Sequence, residues 1–314
     1  MRLILWINNQ WRELAEIEVK CFLSPRNIER HFLKNKELLI VDIDEDDKDV
    51  FERISLLGLV KRVSRIIDSH IGLDSYRIEP HPYSKELIDL AIKELSMLGA
   101  RNPSPRSGNI IDVLRINNES ILAHRIYEQG NEWKQRLPHK MPGLYPATIH
   151  PLIARAMVNI SGSSRTILDS FVGTGGILIE ALLTNRLAAG IDINESMLER
   201  CRARLKSIGL NPPVWISDAR NISLSEILGK TGWKNIDAIV TEPPFGKNTP
   251  NREIKKLFEE FLINAENLTK RLVFSSPHWL DIESILANTS WKIKYGYNQR
   301  IHKSLTRRIL LVEK

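Results

Sequence analysis

Glu242-Pro243-Pro244-Phe245 sets a carboxylate, two prolines and an aromatic ring side by side, directly after the apolar run Ile236-Asp237-Ala238-Ile239-Val240 and Thr241. Such a run reads as a buried strand, and the prolines, which fix φ and lack an N–H, end it in a stiff loop closed by Gly246. Carbonyls in that loop are free to accept hydrogen bonds, so the stretch forms a cup suited to a flat base that carries an amino group. Some seventy residues earlier, Asp169-Ser170-Phe171-Val172-Gly173-Thr174-Gly175-Gly176 joins an apolar strand to a helix. Glycines there let the backbone approach a ligand closely, and the helix start offers unpaired N–H groups. The third glycine is not spaced for a dinucleotide fingerprint, and no Gly-Lys-Ser/Thr follows to make a phosphate loop. The next strand ends in Gly190-Ile191-Asp192, where a carboxylate can accept both hydroxyls of a ribose, and Asp218 follows the third strand, placed to accept from an adenine amino group. Four successive strands therefore end in Asp169, Asp192, Asp218 and Glu242.

The elements that must position these acids alternate from residue 151 onward. Strands are expected at 166–170, 188–193, 214–217, 236–240, 271–275, 291–297 and 308–312, with helices at 151–160, 176–184, 196–208, 224–228, 252–268 and 280–286. That order is an α/β pattern and predicts a doubly wound, mostly parallel Rossmann-like sheet with ligands at the C-terminal ends of its strands. Two smaller α+β units precede it. Residues 1–70 read as strand, helix (13–23), strand (38–43), helix (50–57) and strand (60–67). Residues 71–130 begin with a strand near 76–78 and a helix over 84–98, with Ser84 as N-cap and Gly99 as its stop. They end in a hairpin of 110–116 and 121–126 that turns at Asn117-Asn118-Glu119. The Pro- and Gly-containing stretch 131–150 reads as a linker.

Composition excludes several classes. No apolar run approaches the roughly 18 residues of a spanning helix, and the opening Met1–Ile7 stretch meets polar Asn8-Asn9-Gln10 too soon for a secretion signal, so a cytoplasmic protein is expected. Cys21 and Cys201 are far apart and lack His or Cys neighbours, so neither a disulfide framework nor a zinc site is indicated. The net charge of +7 is unevenly spread: residues 1–70 carry 12 basic against 13 acidic side chains, 71–150 carry 10 against 9, and 151–314 carry 23 against 16. The basic surplus thus coincides with the motifs, which suits a phosphate-bearing substrate.

With those residues in place, the chain resembles the THUMP-containing, S-adenosylmethionine-dependent RNA methyltransferases that make N2-methylguanosine at position 10 of tRNA. The resemblance covers most of the chain. The family's Asp-Pro-Phe-x-Gly-Thr-Gly-Gly appears as Asp169–Gly176 with Ser170 for proline, its approach segment as Pro146–Ile160, and its closing segment as His302-Lys303-Ser304-Leu305-Thr306-Arg307-Arg308-Ile309. The resemblance implies that Asp169, Phe171, Gly173, Thr174, Gly175, Gly176, Asp192 and Asp218 hold S-adenosylmethionine. It likewise implies that Glu242 and the Pro243 carbonyl, with Pro244, accept the guanine amino group and that Phe245 stacks on the base. Lys303, Ser304, Thr306, Arg307 and Arg308 become the expected RNA contacts, and no metal is required. The N-terminal units are similar to the ferredoxin-like and THUMP modules that hold tRNA in the family, the second of them shortened. Some relatives work with a small zinc-containing activator subunit.

The chain departs from the family at the catalytic loop, where Asp-Pro-Pro-Tyr is usual. Phe245 keeps the stacking face. Glu242 keeps the charge and adds about 1.5 Å of reach, a displacement of the size that lowers rates roughly a hundredfold and so predicts slowed or retuned turnover. Two rival readings stay open at this level: an amino-methyltransferase acting on another RNA or DNA base, and a catalytically silent RNA-binding paralogue.

Overall fold

In the computed structural model, which describes residues 1–33, 36–44, 49–162, 164–245, 250–302 and 305–314, the chain separates after Gly130 into two units, each built on one seven-stranded sheet. The first unit runs β1 (Arg2–Ile7), α1 (Arg12–Leu23), β2 (Asn27–Leu33), β3 (Lys36–Asp42), α2 (Val50–Ser55), β4 (Val60–Ile66), β5 (Arg77–His81), α3 (Lys85–Met97), β6 (Ile110–Ile116) and β7 (Glu119–Glu128). Its strand order is β2-β3-β1-β4-β7-β6-β5. The hairpin expected between residues 110 and 126 forms through Asn117 and Asn118, whose φ of 51° and 67° are the left-handed values a two-residue turn demands. Ser84 caps α3 by accepting the Leu87 N–H at 3.3 Å.

Two expectations for this region need correcting. The parts read as separate units, 1–70 and 71–130, share one sheet, because β4 pairs antiparallel with β7 from Arg62↔Glu128 to Ile66↔Ala123. A polar network crosses the same seam. Asp112 on β6 is fully buried and accepts from Ser64 on β4 (2.6 Å), His81 on β5 (3.0 Å), Arg62 on β4 (3.1 Å) and Arg125 on β7 (2.6 Å). Burial alone would push its carboxyl up, but the hydrogen bonds from His81, Arg125 and Ser64 prevail and hold it well below the usual carboxylate range. Ligand atoms of Glu79, His81 and Asp112 lie within 4.8 Å of one another, yet Arg62 and Arg125 already supply the positive charge between them. The second correction is β2, for which no strand was expected: its sequence NIERHFL is mostly exposed, since it lies at the sheet's edge.

The second unit runs α4 (Pro151–Ile160), β8 (Thr166–Asp169), α5 (Gly176–Leu183), β9 (Leu187–Asp192), α6 (Glu195–Ser207), β10 (Val214–Ile216), α7 (Leu224–Thr231), β11 (Ala238–Thr241), α8 (Asn251–Glu266), β12 (Arg271–Pro277), α9 (Ile282–Leu286), β13 (Lys292–His302) and β14 (Leu305–Glu313). The order β10-β9-β8-β11-β12-β14-β13 is parallel through β12, with β14 inserted antiparallel between β12 and β13. This is the doubly wound sheet that the alternation implies. Buried strands such as β8 and β11 are covered on both faces, so their sequences are continuous apolar runs ending in a polar residue. Helix α8 buries Ile254, Phe258, Phe261, Leu262 and Ala265, a spacing that puts all five on one side. Residues 131–150, expected as a linker, belong to this unit. Arg136 and Arg155 both donate to the buried Glu180 of α5, at 2.6 and 2.8 Å, and Thr148 bonds Thr174 at 3.0 Å. Among the described residues no helix is long and apolar enough to cross a membrane.

Candidate functional site at the C-terminal sheet edge

The parallel register brings the strand-end acids together. Asp169 is opposite Gly190, Ile216 is opposite Asp192, and Ile239 is opposite Leu168, so β10, β9, β8 and β11 end along one edge with Asp218, Asp192, Asp169 and Glu242 at or just beyond their last residues.

Asp169 is the innermost of the four. Its Oδ1 accepts from the Thr241 hydroxyl at 2.7 Å and from the Phe171 N–H at 3.3 Å, while Phe171 N–H also reaches Thr241 Oγ1 at 2.9 Å. The carboxyl ties the glycine-loop start to the end of the motif strand. Burial, helped by the nearby charges of Asp192 and Glu242 and opposed by the Thr241 and Phe171 hydrogen bonds, raises its pKa from 3.8 to about 7. A raised carboxyl pKa has a signed consequence: between those two values the folded protein holds a proton that the unfolded chain has released. Its contribution to stability is fully present below about pH 4 and is lost as pH rises through about 7. Asp169→Asn keeps an acceptor for Thr241 and carries no titrating proton. The parent should therefore lose stability relative to this variant across that window, as read by denaturant unfolding at stepped pH. Parallel curves would show that Asp169 does not hold the proton.

Asp192, half-buried, accepts the Gly173 N–H on Oδ2 and the Asn194 N–H on Oδ1, each at 2.9 Å. Each oxygen keeps a second acceptor position, as two ribose hydroxyls require. The loop it fastens is tight on one side and open on the other. A Cβ at Gly175 would lie 2.7 Å from Cys201 Sγ and one at Gly176 2.6 Å from Ile149 Cγ2, whereas one at Gly173 would meet nothing nearer than the Phe171 carbonyl at 3.9 Å. Gly173 and Gly175 have φ of +50° and +82°, which favour glycine. Thr174 is buried against Thr148, and Phe171 packs edge-on against Phe261 at 5.0 Å. Burial pushes the Cys201 thiol up to about 12, which keeps it an inert core group. Asp218 lies at the edge as expected, but its carboxylate is engaged: Arg220 donates Nε to both oxygens at 3.0 Å and Nη2 to Oδ2 at 2.6 Å. These bonds hold the Asp218 carboxyl below its ordinary range. Ile193 and Ile216, 66% and 56% exposed beside Asp192 and Asp218, are apolar surfaces that the acid-seeking reading of the sequence passed over.

Around the motif, Pro243 is buried, Pro244 exposed and Phe245 half-buried against the core, while Gly246 lies outside the described residues. Glu242 is gripped from the antiparallel strand β14. Arg307 Nη1 donates to Glu242 Oε1, and Arg307 Nε donates to Gln299 Oε1 of β13 at 2.7 Å. Arg307 was expected as a phosphate contact; it is instead 6% exposed and faces the motif, because Pro277↔Arg307 pairing places it beside the end of β12. Burial depresses the His150 imidazole, with the Arg307 charge adding to the effect and Glu180 partly opposing it. Of the other expected RNA contacts, Arg308 is half-buried and pairs with Glu283 at 2.6 Å, and the Thr306 carbonyl accepts the His278 N–H at 3.0 Å. Lys303 and Ser304 lie outside the described residues. Gln299 and Thr241 carry no sequence signal of their own, since only register brings them to the site.

Residues 138–308 match the family described as RMKL-like, methyltransferase domain. A Pyrococcus abyssi protein named tRNA (guanine(10)-N2)-dimethyltransferase is 30% identical over 96% of both chains. A Methanothermobacter thermautotrophicus protein of the same name is 39% identical over 65% of this chain, a match that spans only 61% of that relative's length. The crystal structure of TrmN from Thermus thermophilus superimposes over 100% of both chains with a TM-score of 0.51 at 15% identity, a likeness of fold alone. With the family match over more than half its residues and a full-length relative at 30% identity, the chain belongs to the RMKL-like methyltransferase family, among the proteins named tRNA (guanine(10)-N2)-dimethyltransferase.

Proposed function

We propose that this protein transfers methyl groups from S-adenosylmethionine to the exocyclic N2 amino group of a guanosine in tRNA, position 10 being the target. The observation that carries this reading is the Arg307-held Glu242 beside Pro243 and Phe245, on the same sheet edge as the Asp192-fastened glycine loop. The residues present fit the cofactor: Asp192 offers two part-used oxygens, Ile193 and Ile216 offer apolar faces for an adenine ring, and the open side of Gly173 leaves room that a Cβ would fill. Bound there, S-adenosylmethionine supplies an electrophilic methyl group. The chain's own part is positioning and proton handling. The amino nitrogen's lone pair is drawn into the guanine ring, and hydrogen bonds from its N–H groups to Glu242 and the Pro243 carbonyl favour the pyramidal form that can attack. With Oε1 taken by Arg307, Oε2 of Glu242 is the acceptor for the amine and for the proton it releases. Phe245 stacks on the base once it is turned out of the RNA fold. Asp169 and Asp218 act by holding the edge, through Thr241 and Arg220.

The reading places the protein in the cytoplasm with its tRNA, and gives the first unit the task of selecting that RNA by shape. A zinc-containing activator subunit, if one is used, would show as a rate increase on addition. Methyl transfer from labelled donor to a tRNA transcript tests the whole reading: label should appear at guanosine 10 and vanish when that position is changed to adenosine. Label at a different nucleotide, or equal label on the adenosine transcript, would overturn the assignment.

A further inference from the structure

A cleft of about 370 Å³ opens on the sheet edge that carries the motif, lined by Arg252 and Lys255 of α8, by Trp279, Leu280 and Asp281 between β12 and α9, and by Ser284 of α9. Its volume is within the range of small-ligand sites. Helix α8 is the first described element after the motif loop, and Trp279 lies two residues beyond Pro277, whose strand partner Arg307 grips Glu242. The cleft therefore lies on the sheet edge that carries Glu242. Trp279 is 42% exposed, which leaves part of its indole open to a ligand, and buried Leu280 gives the cleft an apolar floor. Arg252 and Lys255, three apart on one helix face, put two cations along one wall. No carboxylate among the described residues pairs with Arg252, and Lys255 shares only an exposed contact with Glu259 at 3.7 Å. Asp281, the one acid among the described lining residues, is engaged in capping α9 through the Ser284 N–H at 3.0 Å.

We infer that this cleft is a second nucleotide subsite, in which a base flanking the target guanosine stacks on Trp279 while its phosphates meet Arg252 and Lys255. The inference rests on the RNA methyltransferase reading. A ring face with two adjacent cations is how single-stranded nucleic acid is held without reading its sequence. It also fits the reaction: a guanosine turned out of its stack drags its neighbours from helical geometry, and a stacked neighbour fixes the backbone so that the target enters in one register.

The full chain tests this with tRNA transcript as the probe. Trp279→Ala should raise the tRNA KM about tenfold, with a smaller change in kcat and no change in calorimetric S-adenosylmethionine affinity. Trp279→Phe should recover most of the loss. Arg252→Ser with Lys255→Ser should flatten the dependence of log KM on log salt by about 0.7 for each contact removed. A parent that methylates tRNA and a Trp279→Ala variant with the same KM would overturn the subsite. A parent without transfer activity would instead overturn the reaction reading; the subsite is then decided by tRNA binding anisotropy, where Trp279→Ala must still weaken binding or the inference falls.

Discussion

Glu242→Gln should lower methyl transfer at saturating tRNA by about a hundredfold or more, the size expected for removing one group aimed at transition-state charge, while S-adenosylmethionine affinity stays the same. The substitution keeps the shape and the Oε1 acceptor for Arg307, and removes the negative charge that we propose stabilises the developing positive nitrogen and takes its proton. Glu242→Ala should be equally inactive but less stable, since it leaves the Arg307 guanidinium, 6% exposed, with Gln299 as its one remaining hydrogen-bond partner among the described residues; breaking a buried pair costs about 3–5 kcal/mol. Glu242→Asp should keep or raise the rate, because it restores the residue usual in the family and Arg307 is long enough to follow the carboxylate. Arg307→Lys separates the two roles of that side chain: it can still reach Glu242 but has no Nε for Gln299, so it should lower kcat with little change in the tRNA KM. Transfer by Glu242→Gln at the parental rate would leave the glutamate a bystander and return the silent-paralogue reading to the front.

The second large effect belongs to the proposed cofactor half of the site. Asp192→Ala should weaken S-adenosylmethionine binding by thirtyfold or more, roughly the 2 kcal/mol expected when a ligand's two hydroxyls lose their acceptor. The structure gives a reason to expect more. The same carboxylate accepts the N–H groups of Gly173 and Asn194, so its removal also loosens the glycine loop. The two substitutions should separate cleanly: Asp192→Ala raises the KM for the methyl donor, and Glu242→Gln lowers kcat. Calorimetric affinity equal in Asp192→Ala and the parent would refute the assignment.

Sequence alone determined the α/β order of the second unit and the shared sheet edge of its four strand-end acids. Periodicity is local, glycine and proline act within a few residues, and a parallel sheet built by right-handed crossovers leaves its strand-end residues nowhere else to go. Asp169, Asp192, Asp218 and Glu242 could be named together for that reason. What each acid touches was decided only in three dimensions. Arg307 looks like a surface cation in a basic closing segment, and only the antiparallel register of β14 between β12 and β13 buries it against Glu242 and Gln299. Asp218 was legible as an acceptor, but its capture by Arg220 depends on a turn that brings two near neighbours face to face. The single sheet of residues 1–130 was likewise hidden. The β4–β7 pairing joins residues about sixty apart, and its Asp112–Arg125 network derives its stability from partners on four strands that no window of sequence contains together.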